Sequence, residues 1–558
     1  MKKLLLVLLL VTAVLAHADN SRLSPDVRAS TASHARVVVQ YNSAPGPLDL
    51  QLILKLAGSI LGQLPLVNGL VADLPLSNLP LLSNQANVRY ISLDRSLSPT
   101  LSNAAPAVNA PVAWQSGYTG AGVGVAVIDS GISSHPDLKG GFLGLSRVVY
   151  NQSFVSGTLS AADQYGHGTH IAGLIAGNGA SSTGTKYSKT FEGIAPDARL
   201  INLRVLDANG AGTDSAVISA ISQAILLKPL FNIRVINLSV GRPVYESYTL
   251  DPVCQAVEAA WKSGIVVVVA AGNNGHFAGT DGYATITAPG NDPYVITVGA
   301  MKPMGTPTRA DDLIASYSSK GPTVVDHVVK PDVVAPGNLL VSLEAPGTLY
   351  NAYPGNRVPY SYYVVGGSSA PSSTYFTLSG TSMAAGVVSG LVADLLQASP
   401  RLSPDQVKAR LMKTAWKTFP TYSSVTDPAT GITYTSQYDV FTVGAGYVDL
   451  QAALQDSALP SGTAMSPTAY YDVQSGNVFM AFDPSSTWGD SAMWGDSAIW
   501  GTSRIQSNSA MWGDSAMWGE VANTGFATIW SDSAMWGDSA MWGDSAMWGD
   551  SAINGESH

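Results

Sequence analysis

Five runs of β-branched and aliphatic residues, Val123 to Asp129, Arg199 to Leu206, Arg234 to Val240, Ile265 to Ala271 and Tyr294 to Ala300, alternate with stretches of helical periodicity. Runs so uniformly apolar suit strands covered on both faces, and strands alternating with helices build parallel sheets. Between the second and third runs, Asp214 to Lys228 sets Val217, Ala220, Ile221, Ala224 and Ile225 on one helical face. The chain is therefore expected to be an α/β protein with a mainly parallel central sheet and helices on both faces.

Three segments far apart on that scaffold carry chemistry. Asp129 ends the first run, in VAVIDSG, and ligand crevices of open α/β sheets lie at the carboxyl ends of strands. His167 in GHGTH and Ser382 in LSGTSMA each open an apolar run rich in small residues. Both are expected to begin buried helices, and the positive helix end near Ser382 favours an anion. Singly, Asp129 reads as a turn residue and Ser382 as a helix cap. Together they offer a hydroxyl nucleophile, an imidazole to take its proton and a carboxylate to orient the imidazole.

The wording around these residues narrows the reading. VAWQSGYTGAGVGVAVIDSGI, HPDL, HGTHIAG, GIAPDARLINLRVL, VINLSVG, VVVVAAGNNG, YVITVGA, KPDVVAPG and GTSMAAG follow one another between about Pro111 and about Leu450. This stretch resembles the subtilisin-like serine proteases, whose chain order is Asp, His, Ser. The resemblance implies an endopeptidase acting on proteins or peptides, with Asp129, His167 and Ser382 catalytic and no cofactor required for the chemistry. It implies that Asn273, in AAGNNG, donates to the oxyanion together with the Ser382 backbone N–H. It also implies that Ser239-Val240-Gly241 and Ala270-Ala271-Gly272 flank the first specificity pocket, where a substrate strand adds by main-chain hydrogen bonds. In one departure, this chain has Ala385-Gly386-Val387 where most relatives have a small residue followed by Pro-His-Val, which bears on helix packing beyond the nucleophile.

Other candidates have duller readings. His170 could pair with His167 on a metal, but two histidines without a third ligand read better as one catalytic and one structural side chain. Asp137 in HPDL matches a position that binds calcium in many relatives. The loop GNGASSTGTKYSKTFEG lacks the usual ligand spacing, so a solvated aspartate is favoured and structural calcium stays open. Cys254 is the only cysteine, which rules out an intrachain disulfide, and it reads as a buried small apolar residue.

The two ends form separate expectations. Residues 1–18 have two lysines, an apolar run and small residues at Ala16 and Ala18, the pattern of a secretory signal rather than a membrane anchor. Residues 19–104 hold strand candidates at Arg36 to Tyr41 and Val88 to Leu93 and a leucine-rich stretch of helical spacing from Leu48 to Leu61. Their position suggests an inhibitory propeptide, with a permanent N-terminal domain as the alternative, ahead of a catalytic domain at 105–455.

From Asp456 onward, twelve acidic residues face one arginine, so the net charge of −10 belongs to the tail and nothing points to nucleic acid. That tail, 456–558, repeats a hexad whose fullest form is Trp-Gly-Asp-Ser-Ala-Met, with Gln506, Thr524 and Asn554 filling the phase where tryptophan is missing. Six does not match the helix period. A disordered tail and a module for cell-surface contact or self-association are both open. The overall expectation is a secreted or surface-associated, self-processed endopeptidase. The alternative is a surface or assembly protein with an inert protease-like domain.

Overall fold

The Val, Ile and Leu runs that dominate the middle of the chain are strands buried on both faces. In this computed structural model, the described residues are 22–481 and 505–507, except for 25–26, 29, 31, 95–97, 100–104, 141–143, 278–279, 305, 307, 427–431 and 473–476. Residues 1–18 and nearly all of the hexad repeats thus lie outside the described residues. The chain divides into two units, up to Leu93 and from Asp94.

In the first unit, His34–Tyr41 lies between Gly69–Pro75 and Val88–Leu93, and Ser59–Leu64 joins the far side of Gly69–Pro75. All three pairings are antiparallel. Val37, Val39, Ile53, Leu70, Leu74, Leu82 and Ile91 form its core. The helix expected over Leu48 to Leu61 is shorter, Pro47–Lys55. The chain turns through Ala57, at φ 57°, and Gly58, where a Cβ would lie 2.6 Å from Leu74 Cγ. It then continues as the strand Ser59–Leu64. A side-chain-free residue is what lets the chain double back there, so leucine spacing alone overstated the helix.

In the second unit, eight strands form the central sheet. In spatial order they run Leu313–Ile314, Ile296–Lys302, Val266–Ala270, Ile233–Leu238, Gly124–Asp129, Arg199–Arg204 and Val148–Ser153, with Val333–Pro336 also paired to Ile296–Lys302. All neighbours are parallel except Leu313–Ile314. The five strands read from sequence are all present. Their crossovers include the helices Asp214–Phe231 and Pro252–Lys262.

The helix Thr381–Ala398 is buried from Thr381 to Leu396. It packs on the central strands and on the wholly buried helix His167–Ala176, which explains why both are built of small and aliphatic residues all round. At Gly386, one of the departing positions, an added Cβ would make ordinary contacts of 3.6 Å and 3.7 Å with Leu174 and Ile171. The packed body also extends past Asp456. Ala464 and Ala469 are buried, and Ser466 Oγ donates to Asp332 Oδ1 at 2.5 Å. The strand Asn477–Ala481 pairs with Thr468–Asp472 on one side and Ile505–Ser507 on the other.

Candidate active site

Asp129 is the last residue of its strand, level with Arg204 on the neighbouring strand. Its Oδ1 lies 2.6 Å from His167 Nδ1 and accepts from Ser130 N at 2.7 Å. Both side chains are fully buried, so the carboxylate acts on the ring with little water between them to weaken it. An imidazole held in this way keeps one tautomer and leaves its other nitrogen for a proton.

The helix that begins with His167 has no side-chain cap of its own, because its N-cap is Gly166. Asp163 supplies one. Its Oδ1 accepts from Tyr165 N, Gly166 N and Ser130 Oγ, and its Oδ2 from Thr169 N and Thr169 Oγ1. Ser130 Oγ in turn accepts from Gly168 N at 2.9 Å. One buried carboxylate therefore fastens the loop after Asp129 to the helix carrying His167. Gly168 permits the approach, since a Cβ there would lie 2.3 Å from Gly131 O.

Ser382 stands in the first turn of its helix and is 1 % exposed. Its Oγ donates to Ser239 O at 3.2 Å, and Ser239 Oγ donates to Ser382 O at 2.9 Å. Beneath it, Ser389 Oγ donates to Asn237 Oδ1 and Asn237 Nδ2 to Ser239 Oγ, each at 2.8 Å. Beside it, Asn273 Oδ1 accepts from both N and Oγ1 of Thr381, and Thr381 Oγ1 accepts from Gly272 N. Asn273 Nδ2 is buried with no hydrogen-bond partner among the described residues. A buried amide N–H without an acceptor is costly, and it is well suited to an oxygen that gains charge during reaction.

The two glycine-ended segments converge on one side chain. A Cβ on Gly241 would lie 2.6 Å from Thr287 Oγ1, and one on Gly272, at φ 109°, 2.9 Å from Thr287 Cγ2. Thr287 thus lies against both Ser239-Val240-Gly241 and Ala270-Ala271-Gly272. Val240–Gly241 also forms a short antiparallel ladder with Ser98–Pro99, Val240 opposite Pro99 and Gly241 opposite Ser98.

Asp137 is corrected by the structure: it is fully buried, not solvated. Its Oδ1 accepts from Ser181 N and its Oδ2 from Tyr375 OH, so protein donors already hold both oxygens. These residues do not fit a calcium site, and no group of three His, Cys, Asp or Glu suited to a metal occurs among the described residues. His170 is buried, with Nε2 3.1 Å from Phe376 O, and burial pushes it down to about 3. It is a neutral structural side chain. Cys254 is buried against Asn291, and desolvation pushes its thiol well up.

Sequence reasoning missed Asp163, Thr287 and Thr381. Asp163 stands just ahead of the His167 helix, where an acidic residue marks a helix start, so it carried a readable signal. Thr287 acts through contacts with distant segments, and nothing in its own neighbourhood marks it, whereas Thr381 stands in the GTSMA wording itself and only its contacts with Asn273 and Gly272 were hidden from the sequence.

Residues 120–447 match the Subtilase family. The chain is 39% identical over 338 residues to serine protease AprX of Bacillus subtilis (strain 168), covering 59% of this chain and 70% of that protein. It is 31% identical over 464 residues to subtilisin E of the same organism, covering 81% of this chain and 99% of that protein. Among solved structures, fervidolysin from Fervidobacterium pennivorans, a keratinolytic enzyme related to subtilisin, superposes with a TM-score of 0.53 at 24% identity. That match covers 77% of this chain and 62% of the fervidolysin chain, and at this identity it speaks for the fold alone. Family match, relatives and fold agree: the chain belongs to the subtilase family and is a subtilisin-like serine endopeptidase.

Proposed function

We propose that Ser382 is the nucleophile of a secreted endopeptidase, that His167 is its general base and then acid, that Asp129 orients His167, and that Asn273 binds the oxyanion. Ser382 Oγ attacks the peptide carbonyl as its proton passes to His167. The negative oxygen is held by Asn273 Nδ2 and the Ser382 N–H. Collapse expels the amine, which takes the proton from His167, and leaves an acyl-enzyme for water to hydrolyse by the same steps. The observation that carries this reading is the buried 2.6 Å His167–Asp129 pair, together with an amide whose oxygen is pinned and whose N–H has no partner among the described residues. It favours an active protease over an inert domain. Ser382→Ala should abolish peptide hydrolysis, and phenylmethylsulfonyl fluoride should label the wild type at Ser382; retained activity in a pure Ser382→Ala sample overturns the assignment.

Self-processing rests on a separate pair of observations. Asp94 caps the helix Asp214–Phe231, its oxygens accepting from Ser215 N at 2.7 Å and Ser215 Oγ at 2.6 Å. A few residues later, Ser98–Pro99 pairs with Val240–Gly241 as a substrate strand would. These contacts favour residues 19 to about 104 as a propeptide that enters its own cleft. Export rests on the pattern of residues 1–18. For the hexad tail we propose cell-surface contact or self-association through its tryptophans.

A further inference from the structure

We propose that Arg242 is a positioning residue that fixes the outer end of the substrate-pairing strand, and so governs how well extended peptides are used. This rests on the reading of Ser239-Val240-Gly241 as that strand. Arg242 directly follows it. Its Nε donates to Asp214 Oδ1 at 2.9 Å and its Nη2 to Asp251 Oδ2 at 2.7 Å, with the arginine side chain 1 % exposed and both carboxylates fully buried.

The two acids come from different elements. Asp214 is the first residue of the helix Asp214–Phe231. Asp251 caps the helix Pro252–Lys262 through Val253 N and Cys254 N. The Arg242 backbone also exchanges both hydrogen bonds with Ala288, N to O at 3.1 Å and O from N at 2.8 Å, next to Thr287. The strand end is therefore held by two helix starts and by the segment carrying Thr287. A planar guanidinium can serve two carboxylates in fixed directions, whereas a lysine ammonium is a point charge.

A peptide reaching Gly241 and beyond depends on the position of this strand, while a single-residue ester occupies only the first pocket and Ser382. Loss of the Arg242 fork should shift the strand end and weaken pairing with the longer substrate selectively.

Arg242→Ala would leave two buried carboxylates without their cation and is expected to fold poorly. The test therefore uses Arg242→Lys, and separately Arg242→Met combined with Asp214→Asn and Asp251→Asn, which removes the charges together. Active enzyme is counted by labelling with phenylmethylsulfonyl fluoride. The readout is kcat/KM per active site for a tetrapeptide anilide divided by that for a single-residue ester. That ratio is expected to fall on the order of tenfold in both variants, mainly through KM of the tetrapeptide. A ratio that stays at the wild-type value, whether both substrates decline together or neither does, overturns the proposal. A wild type that takes no label removes the reading of Ser382 on which the proposal rests.

Discussion

Asn273 and Thr381 meet through one oxygen: Asn273 Oδ1 accepts from the backbone N and from Oγ1 of Thr381, both at 3.0 Å. The two bonds settle which end of the amide is which, and they leave Nδ2 as the donor. Asn273→Ala should lower kcat by roughly 10²–10³, the loss known for this donor in subtilisin itself and carried over from it, with a much smaller change in KM. Thr381→Val should cost less, because one of the two anchoring bonds remains. Steady-state kinetics on a soluble peptide checks both, and a dominant rise in KM would argue against oxyanion binding.

Maturation has an expected address. Ser239 O accepts from Ser382 Oγ, so on the proposed roles the substrate residue opposite Ser239 is expected to be the one attacked. Gly241 faces Ser98 and Val240 faces Pro99, so a substrate in that register is expected to be cut beyond the residue that faces Val240. The mature protein should begin shortly after Pro99, and Ser382→Ala protein should keep its N-terminal unit. N-terminal sequencing of both forms is the measurement, and trimming of the inactive variant expressed alone would assign the cut to another protease.

Two truncations should behave differently. Ending the chain at Asp456 removes Ser466, which bonds Asp332 and receives a bond from the buried Lys408 ammonium. It leaves Lys408, held down to about 7 by burial, with fewer partners. The loss from Ser466 alone is on the order of 1–3 kcal/mol, visible as a lower Tm. Ending at Asp483 keeps these contacts and should preserve peptide turnover. Equal Tm for the two would mean that the stretch 457–483 adds nothing to the catalytic fold.

Alkaline pH should find a weak point in the Ser382 helix. Asp394 is buried with no partner for either oxygen among the described residues. Desolvation, with the like charge of Asp197, raises its carboxyl from 3.8 to about 9. The folded protein keeps a proton that the unfolded chain has released, so this group's contribution to stability falls as pH rises from 3.8 towards about 9. Asp394→Asn, which cannot ionise, should flatten that decline. Melting curves at about pH 5 and about pH 8.5 test it, and parallel shifts of both proteins would exclude Asp394 as the source.

The legible parts of this molecule were those where one stretch of chain carries the whole argument. The apolar runs could only be two-sided strands, and Asp129, His167, Asn273 and Ser382 each sit in wording that fits a strand end, a loop or a helix start. Asp137 was misjudged because its partner Tyr375 is far along the chain, and burial is a property of the fold. Leu48 to Leu61 was read as helix because leucine spacing says nothing of the close approach between Gly58 and Leu74. The tail looked separable at Asp456 because charge and repeat change there, whereas Ser466 is tied to a lysine and an aspartate whose importance no local pattern reveals.

The place of Ser382 in the chain also sets the order in which the proposed site is completed. Its helix packs on strands that precede it, Val333–Pro336 among them, and the Asp332–Lys408–Ser466 contacts close later still. While the chain is being synthesised, Asp129 and His167 are made well before the serine that the proposed mechanism pairs with them. On the proposed roles, the site is complete only once the chain has reached Ser382 and the strands and helix around it have packed.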